Sequence, residues 1–102
     1  MTTAAITKQA LIELDRRNIE AWRQNNLRVP GRTFNGRRGV TDILGFNRST
    51  GLLCLTETKN KGDKLSQDQI ELLNKAHRAG AITLIATVDA EGNFLLKDYK
   101  PD

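Results

Sequence analysis

The sequence predicts an α/β domain with a mixed central sheet flanked by helices, and three observations predict it. A helix-periodic apolar stripe opens the chain, a turn-rich NRSTG joins two strand-like runs in the middle, and a second helix with a clear start signal leads into the apolar, β-branched run AITLIATV. Helix, hairpin, helix and strand in that order suit a sheet with parallel and antiparallel pairs. With 102 residues the chain has room for one domain and one modest core, because domains of this size bury only about 60 to 70% of their unfolded surface.

Residues 4 to 17 place Ile6, Ala10, Leu11 and Leu14 at helical spacing among good helix formers. Two readings fit the next residues: Asn18 ends the helix in a left-handed conformation and NIEAWRQN runs on as a strand, or the helix continues through Trp22. Trp22 itself reads as a core or edge aromatic in preference to a base-stacking platform. Residues 26 to 40 combine Pro30, Gly31, Gly36 and Gly39 with Arg28, Arg32, Arg37 and Arg38 and have no hydrophobic period, the signature of a long basic loop. TDILGF and LLCLTETK then form a hairpin about NRSTG. If RSTG is a four-residue loop, Asn47 faces Leu52, and counting back along both strands sets Asp42 opposite Glu57. A slip of one residue would part them onto opposite faces.

NKGDK reads as a flexible connection. In SQDQIELLNKAHRAG, Ser66 as N-cap and Gln69 three residues later make a capping box, Ile70, Leu73 and Ala76 or His77 share a face, and Gly80 ends the helix. AITLIATV is a buried strand, EGN a turn, and FLLKDYK a last, edge strand.

Hydrophobic residues at 38% and charged residues at 27% describe a chain that folds in water. No apolar run approaches the ~20 residues of a membrane span. The start MTTAAITKQALIELD lacks the basic end and apolar stretch of a signal peptide, so the expected compartment is the cytoplasm. A single cysteine, Cys54, excludes an intrachain disulfide, a cysteine zinc site and a CxxC redox pair, and its place in LLCLT marks it as a buried small hydrophobe. No GxxxxGK[ST] motif is present, which speaks against an NTPase. The only histidine, His77, reads as a surface or packing residue, which argues against nucleases with a histidine general base.

The net charge is +4, and between Glu20 and Asp42 five arginines, Arg23, Arg28, Arg32, Arg37 and Arg38, stand with no acid among them. Such a stretch is either an electrostatic footprint for phosphates or a solvated face. Glu57 and Lys59 end an otherwise apolar strand and, two residues apart, point to one face about 6 to 7 Å from each other. Joined by Asp42 across the hairpin, they make a site of two anions and one cation that could hold Mg²⁺ or Mn²⁺ and act on a phosphate. The plainer reading is a salt bridge of Glu57 with Lys59 or Lys61, with Asp42 capping backbone groups.

GRRGVTDILG followed by TETKNKGDKLSQDQ resembles the PD-(D/E)XK nucleases and, within them, the VRR-NUC group of small phage and repair endonucleases. The matching positions are Gly39, Asp42, Glu57, Lys59, Gly62 and Gln69, and the likeness runs from about Trp22 to Val88. It implies a restriction-endonuclease-like fold with residues 1–102 as one VRR-NUC-like domain. It also implies Asp42, Glu57 and the Thr58 carbonyl as ligands of Mg²⁺ or Mn²⁺, Lys59 as the catalytic lysine, and Gln69 reaching the site from the second helix. Gln69 is equally the capping partner of Ser66. Arg23, Arg28, Arg32, Arg37, Arg38, Lys61 and Lys64 would contact DNA. Stand-alone proteins of this size in the group resemble junction-resolving homodimers, which points to branched DNA, above all four-way junctions, as substrate. A non-catalytic nucleic-acid-binding module on the same fold is the alternative, and a phage structural or adaptor protein explains the charge less well. Two departures stand out: Thr41 replaces the proline of the family's name, and no glutamate occupies the first turn of the first helix. Glu13 and Glu20 are the nearest substitutes, both in positions that read as surface.

Overall fold

In the computed structural model, residues 1–24 and 37–101 are described. Helix α1 (Thr3–Arg16) starts where the Thr2 side chain accepts the Ala5 N–H at 3.1 Å. It stops because Asn18 turns to φ +65°, a left-handed geometry that asparagine tolerates better than most side chains. Strand β1 (Ile19–Arg23) comes directly after it, so the first of the two sequence readings holds and Trp22 lies on a strand.

Strands β2 (Ile43–Asn47) and β3 (Leu53–Thr58) form the expected hairpin. Asn47 Oδ1 accepts the N–H groups of Ser49 and Thr50 at 2.9 and 3.0 Å, and Asn47 N–H donates to Leu52 O at 2.9 Å. These bonds fix the loop length and therefore the register: Phe46 pairs with Leu53 and Ile43 with Thr56. Helix α2 (Gln67–Arg78) then carries the chain from β3 to its parallel neighbour β4 (Ile82–Val88), the crossover that a parallel pair requires. Strand β5 (Phe94–Asp98) closes the sheet as an antiparallel edge, giving the order β1-β2-β3-β4-β5.

Each helix covers one face. Ile6, Ala10 and Leu14 of α1 pack on Ile19, Ile43, Cys54, Leu84, Ala86 and Leu96. On the opposite face Leu73 of α2 packs on Leu55 and Ile85, with Leu44, Leu65, Leu72 and Tyr99 around them. Cys54 is buried in the first of these layers, and burial pushes its thiol up. The two faces are not equally closed: Trp22 and Phe46, ring centroids 6.5 Å apart, stay exposed on β1 and β2. The 60–63 segment, expected to be flexible, is instead an ordered turn. Asn60 N–H donates to Asp63 Oδ2 at 3.0 Å and Asp63 N–H to Asn60 O at 3.0 Å, local bonds that a reading by composition does not register. No described helix is long and apolar enough to cross a membrane.

Leu73 is fully buried and is the main apolar anchor of α2. Leu73→Ala is expected to cost about 2 to 5 kcal/mol in urea denaturation, the range for emptying a closed leucine site. A cost below about 1 kcal/mol would mean that α2 is held by its ends instead.

Candidate active site

The site forms where β2 begins and β3 ends. Continuing the β2–β3 pairing one residue beyond Ile43 and Thr56 puts Asp42 opposite Glu57, as the loop count predicts. The backbone fixes both: Asp42 Oδ2 accepts the Thr58 N–H at 3.0 Å, Asp42 O accepts the Gln24 N–H at 2.7 Å, and Lys59 N–H donates to Ala86 O at 2.9 Å. Glu57 is 1% exposed, and its Oε2 is buried with no hydrogen-bond partner. Burial first, then a hydrogen bond to the Asp42 carboxyl and its nearby charge, push the Glu57 pKa up to about 9, opposed only by the charge of Lys59. Among the described residues no ion pair joins Glu57 to Lys59 or Lys61, so the salt-bridge reading fails. The part of it that survives is Asp42 as a backbone acceptor.

The surroundings come from three more elements. Gly39 at φ +81° presses its turn onto the first turn of α2, where an added Cβ would stand 2.3 Å from Asp68 O and 2.5 Å from Asp68 C. Only glycine permits that approach. Thr41, in place of the expected proline, is fully buried and shapes the same turn by donating to Ile43 O at 2.9 Å. Gln69 lies at this junction of turn and helix, and its Oε1 accepts the Ser66 N–H at 2.9 Å in a complete capping box. Beneath β3, Thr7 of α1 meets Thr58 hydroxyl to hydroxyl at 3.2 Å. This buried threonine contact is what α1 gives the strand, and nothing in the sequence pattern distinguishes Thr7 from its neighbours.

The two glutamates considered as substitutes for a first-helix acid are occupied elsewhere. Glu13 pairs with Arg16 and Arg17, and Glu20 with Arg48. Among the described residues no group of three or more His, Cys, Asp and Glu converges as a metal cluster. A divalent cation would therefore rest on two carboxylates plus backbone oxygen and solvent. The donors fit such an ion: they are hard oxygens, and the orphaned Glu57 Oε2 is a buried acceptor facing no donor. His77 bonds Thr83 Oγ1 through Nδ1 at 3.2 Å, about 12 Å along α2 from Gln69. It takes no part.

Of the expected DNA contacts, Arg37 and Arg38 are exposed just before the Gly39 turn, and Arg23, paired with Ile43, is exposed at the same end of the sheet as Asp42. Lys61 and Lys64 are exposed in and after the 60–63 turn. Arg28 and Arg32 lie outside the described residues.

No family model matches the chain, and no curated protein sequence matches it. Among solved structures, the fold is similar to that of Hjc from Archaeoglobus fulgidus, a Holliday junction resolvase from an archaeal hyperthermophile. The TM-score is 0.60 at 20% identity, over 93% of this chain and 75% of that one. At this identity the likeness establishes the fold: a small α/β domain with a mixed five-stranded sheet and two helices.

The raised pKa of Glu57 carries a stability consequence. In metal-free buffer the folded protein holds a proton on Glu57 up to about pH 9, whereas the unfolded chain releases it near 4.5. The proton's contribution is complete below the unfolded value and is lost as pH rises toward the folded one. Stability should fall through that window by on the order of 1 kcal/mol per pH unit. Glu57→Gln, which mimics the protonated acid, is expected to remove the slope and to be the more stable protein at pH 8 in EDTA. Parallel pH profiles of wild type and variant would contradict the buried-acid assignment.

Proposed function

We propose that this chain is a divalent-metal-dependent DNA endonuclease, related to the VRR-NUC group of PD-(D/E)XK nucleases, that acts on branched DNA as a homodimer. The observation that carries the reading is the buried Glu57 carboxyl, with an orphaned oxygen, set against the half-buried Asp42 at a sheet end where Lys59 shares the face of Glu57. Neither a salt bridge nor core packing explains a buried acid aimed at another acid, since that arrangement costs stability unless a cation or proton occupies it.

Asp42, Glu57 and the Thr58 carbonyl would hold Mg²⁺ or Mn²⁺. When bound, the ion supplies charge neutralisation at the phosphate and a more acidic water. Lys59, two residues beyond Glu57, positions an ammonium on the same face, where it orients the attacking water and offsets the negative charge that builds on the phosphoryl oxygens. The water oxygen joins phosphorus as it gives up a proton to solvent, one P–O ester bond breaks, and the leaving oxygen takes up a proton from solvent to depart as a hydroxyl. The Gln69 amide oxygen is committed to its helix cap, so any contribution at the site falls to its amide nitrogen. Arg23, Arg37 and Arg38 at the same sheet end hold backbone phosphates without reading bases, and Lys61 and Lys64 extend that surface.

The branched substrate draws support from the likeness to Hjc, a Holliday junction resolvase, and the dimer from the size of the domain. One such domain carries one candidate site, so coordinated cutting of two strands calls for two copies related by symmetry.

Glu57→Gln, Lys59→Ala and Asp42→Asn are each expected to lower cleavage by at least about a hundredfold while leaving the fold and most DNA binding in place. The assay is cleavage of linear, flapped and four-way DNA with Mg²⁺, Mn²⁺ or EDTA. Wild-type turnover in the Glu57 or Lys59 variant would remove the assignment, and metal-dependent binding without any cleavage would favour the non-catalytic module. Light scattering at micromolar concentration is expected to give a dimer, and a four-way junction to be cut faster than a matched linear duplex. A monomer that cuts both equally would leave a nuclease and remove the resolvase.

A further inference from the structure

A second set of cations lies on the far side of the site. Glu57 pairs with Ile85 and Ile85 with Lys97, so these three residues form one row across β3, β4 and β5 on a common face. α2 covers the lower part of that face through Leu73. Above it an open groove of about 500 Å³ runs from Lys59 and Lys61 on one wall to Lys97 and Lys100 on the other. Lys61, Lys97 and Lys100 are exposed. Two acids also line it, Asp63 and Asp98. The Asp63 carboxylate is turned back onto the Asn60 N–H, and Asp98 pairs with Leu84 and so belongs by register to the α1 face. The groove is thus bordered by four lysines against two acids, which leaves it net cationic, and Lys59 is common to it and to the carboxyl pair.

We infer that this groove is the track for one strand of the DNA substrate, with Lys97 and Lys100 binding backbone phosphates on the β5 side of the cleavage site. The inference rests on the nuclease reading and adds to it the direction in which the strand leaves the site. A phosphodiester chain is the polyanion that fits, because the lysines are spread along the groove and do not converge on one point. β3 and β5 are two strand spacings apart, about 10 Å, which places Lys97 on the order of two or three nucleotides from the phosphate at Glu57. Arg37 and Arg38 stand exposed just before the Gly39 turn, which packs on the first turn of α2. A strand crossing the site would thereby meet cations from more than one element, which orients it without base contacts.

The test uses Lys97→Ala, Lys100→Ala and the double variant in the full chain, with Lys97→Arg as the conservative change and Lys75→Ala, at the far end of α2, as a neutral control. Binding of a fluorescent four-way junction is measured in EDTA from 50 to 300 mM salt. Each lost lysine should flatten the slope of log affinity against log salt by about 0.9, the value for one duplex phosphate contact. Lys97→Arg should restore the slope, and Lys75→Ala should leave it unchanged. In Mg²⁺ the double variant should raise KM on the order of tenfold with kcat within about twofold. If wild type cleaves and the double variant keeps the wild-type slope and KM, the track is overturned and the nuclease stands. If no variant or wild type cleaves but the lysine-dependent slope is present, the track stands and catalysis falls. Absence of DNA binding by wild type overturns both.

Discussion

Glu57 is almost wholly inaccessible to solvent and faces a second carboxyl group, Asp42, one position beyond the Ile43–Thr56 pair that ends the hairpin ladder. Two acids cannot both be ionised there at neutral pH unless something positive stands between them. Without a cation the pair therefore settles by keeping a proton on Glu57. This is a cost that the rest of the fold has to support. It does so with backbone bonds that do not depend on the ionisation of Glu57: Asp42 is locked by the Thr58 and Gln24 amides, and Lys59 by the β3–β4 ladder. A site built this way stays in place whether its second oxygen meets a proton or a metal ion, because the frame consists of sheet hydrogen bonds and not of the site's own charges.

Three close approaches bring other elements to that frame. Gly39 lets its turn touch the first turn of α2 at a distance that no side chain permits. Gly45 does the same inside the sheet, where an added Cβ would meet Glu20 O at 2.4 Å. Thr41 closes the turn with a side-chain hydrogen bond to Ile43 O where a proline would have done so through its ring. Conformational restriction of this turn is the common requirement, and the hydroxyl meets it by a different route. The capping box at Ser66 and Gln69 then fixes the start of α2 against the same turn, so the entry to β2 and the helix start are parts of one junction.

Much of this was legible in the sequence where the information is local. The NRSTG turn sets a loop length, the loop length sets a register, and the register puts Asp42 across from Glu57. The Ser66 capping box and the β-branched run at Ile82 are equally local. What composition and spacing cannot give is the neighbour that arrives from elsewhere in the chain. The left-handed turn at Asn18 decided between strand and helix only with Arg48 N–H donating to its carbonyl at 2.9 Å. The depth of Glu57 depends on β4 and α2 closing over β3. Lys97 and Lys100 carry no motif, and their place in a groove comes from β5 pairing with β4, a contact that no periodicity predicts. The turn at Asn60 to Asp63 read as flexible because Lys and Gly dominate it, while two hydrogen bonds from Asn and Asp order it.

The charge balance at the sheet end is set by the same geometry. On the proposed nuclease reading, a polyanion would have to be attracted to a place that holds two carboxylates, and repulsion between them and the phosphates would have to be outweighed nearby. Charges act effectively within about a Debye length, ~10 Å at 0.1 M salt. Arg23 is exposed at the end of β1 and Arg37 and Arg38 before the Gly39 turn, while Lys59, Lys61, Lys97 and Lys100 border the groove. The pair thus has cations from several elements in its neighbourhood, and a third acid from α1 would shift that balance against a phosphate. Thr7, which occupies the helix position facing Thr58, leaves the balance as it is. The fewer the carboxylates, the weaker the hold on a metal ion and the smaller the barrier to the approaching strand. A two-carboxylate site with cations near it is therefore a consistent compromise on the proposed reading, in which a substrate phosphate would supply anionic oxygen that two carboxylates leave wanting.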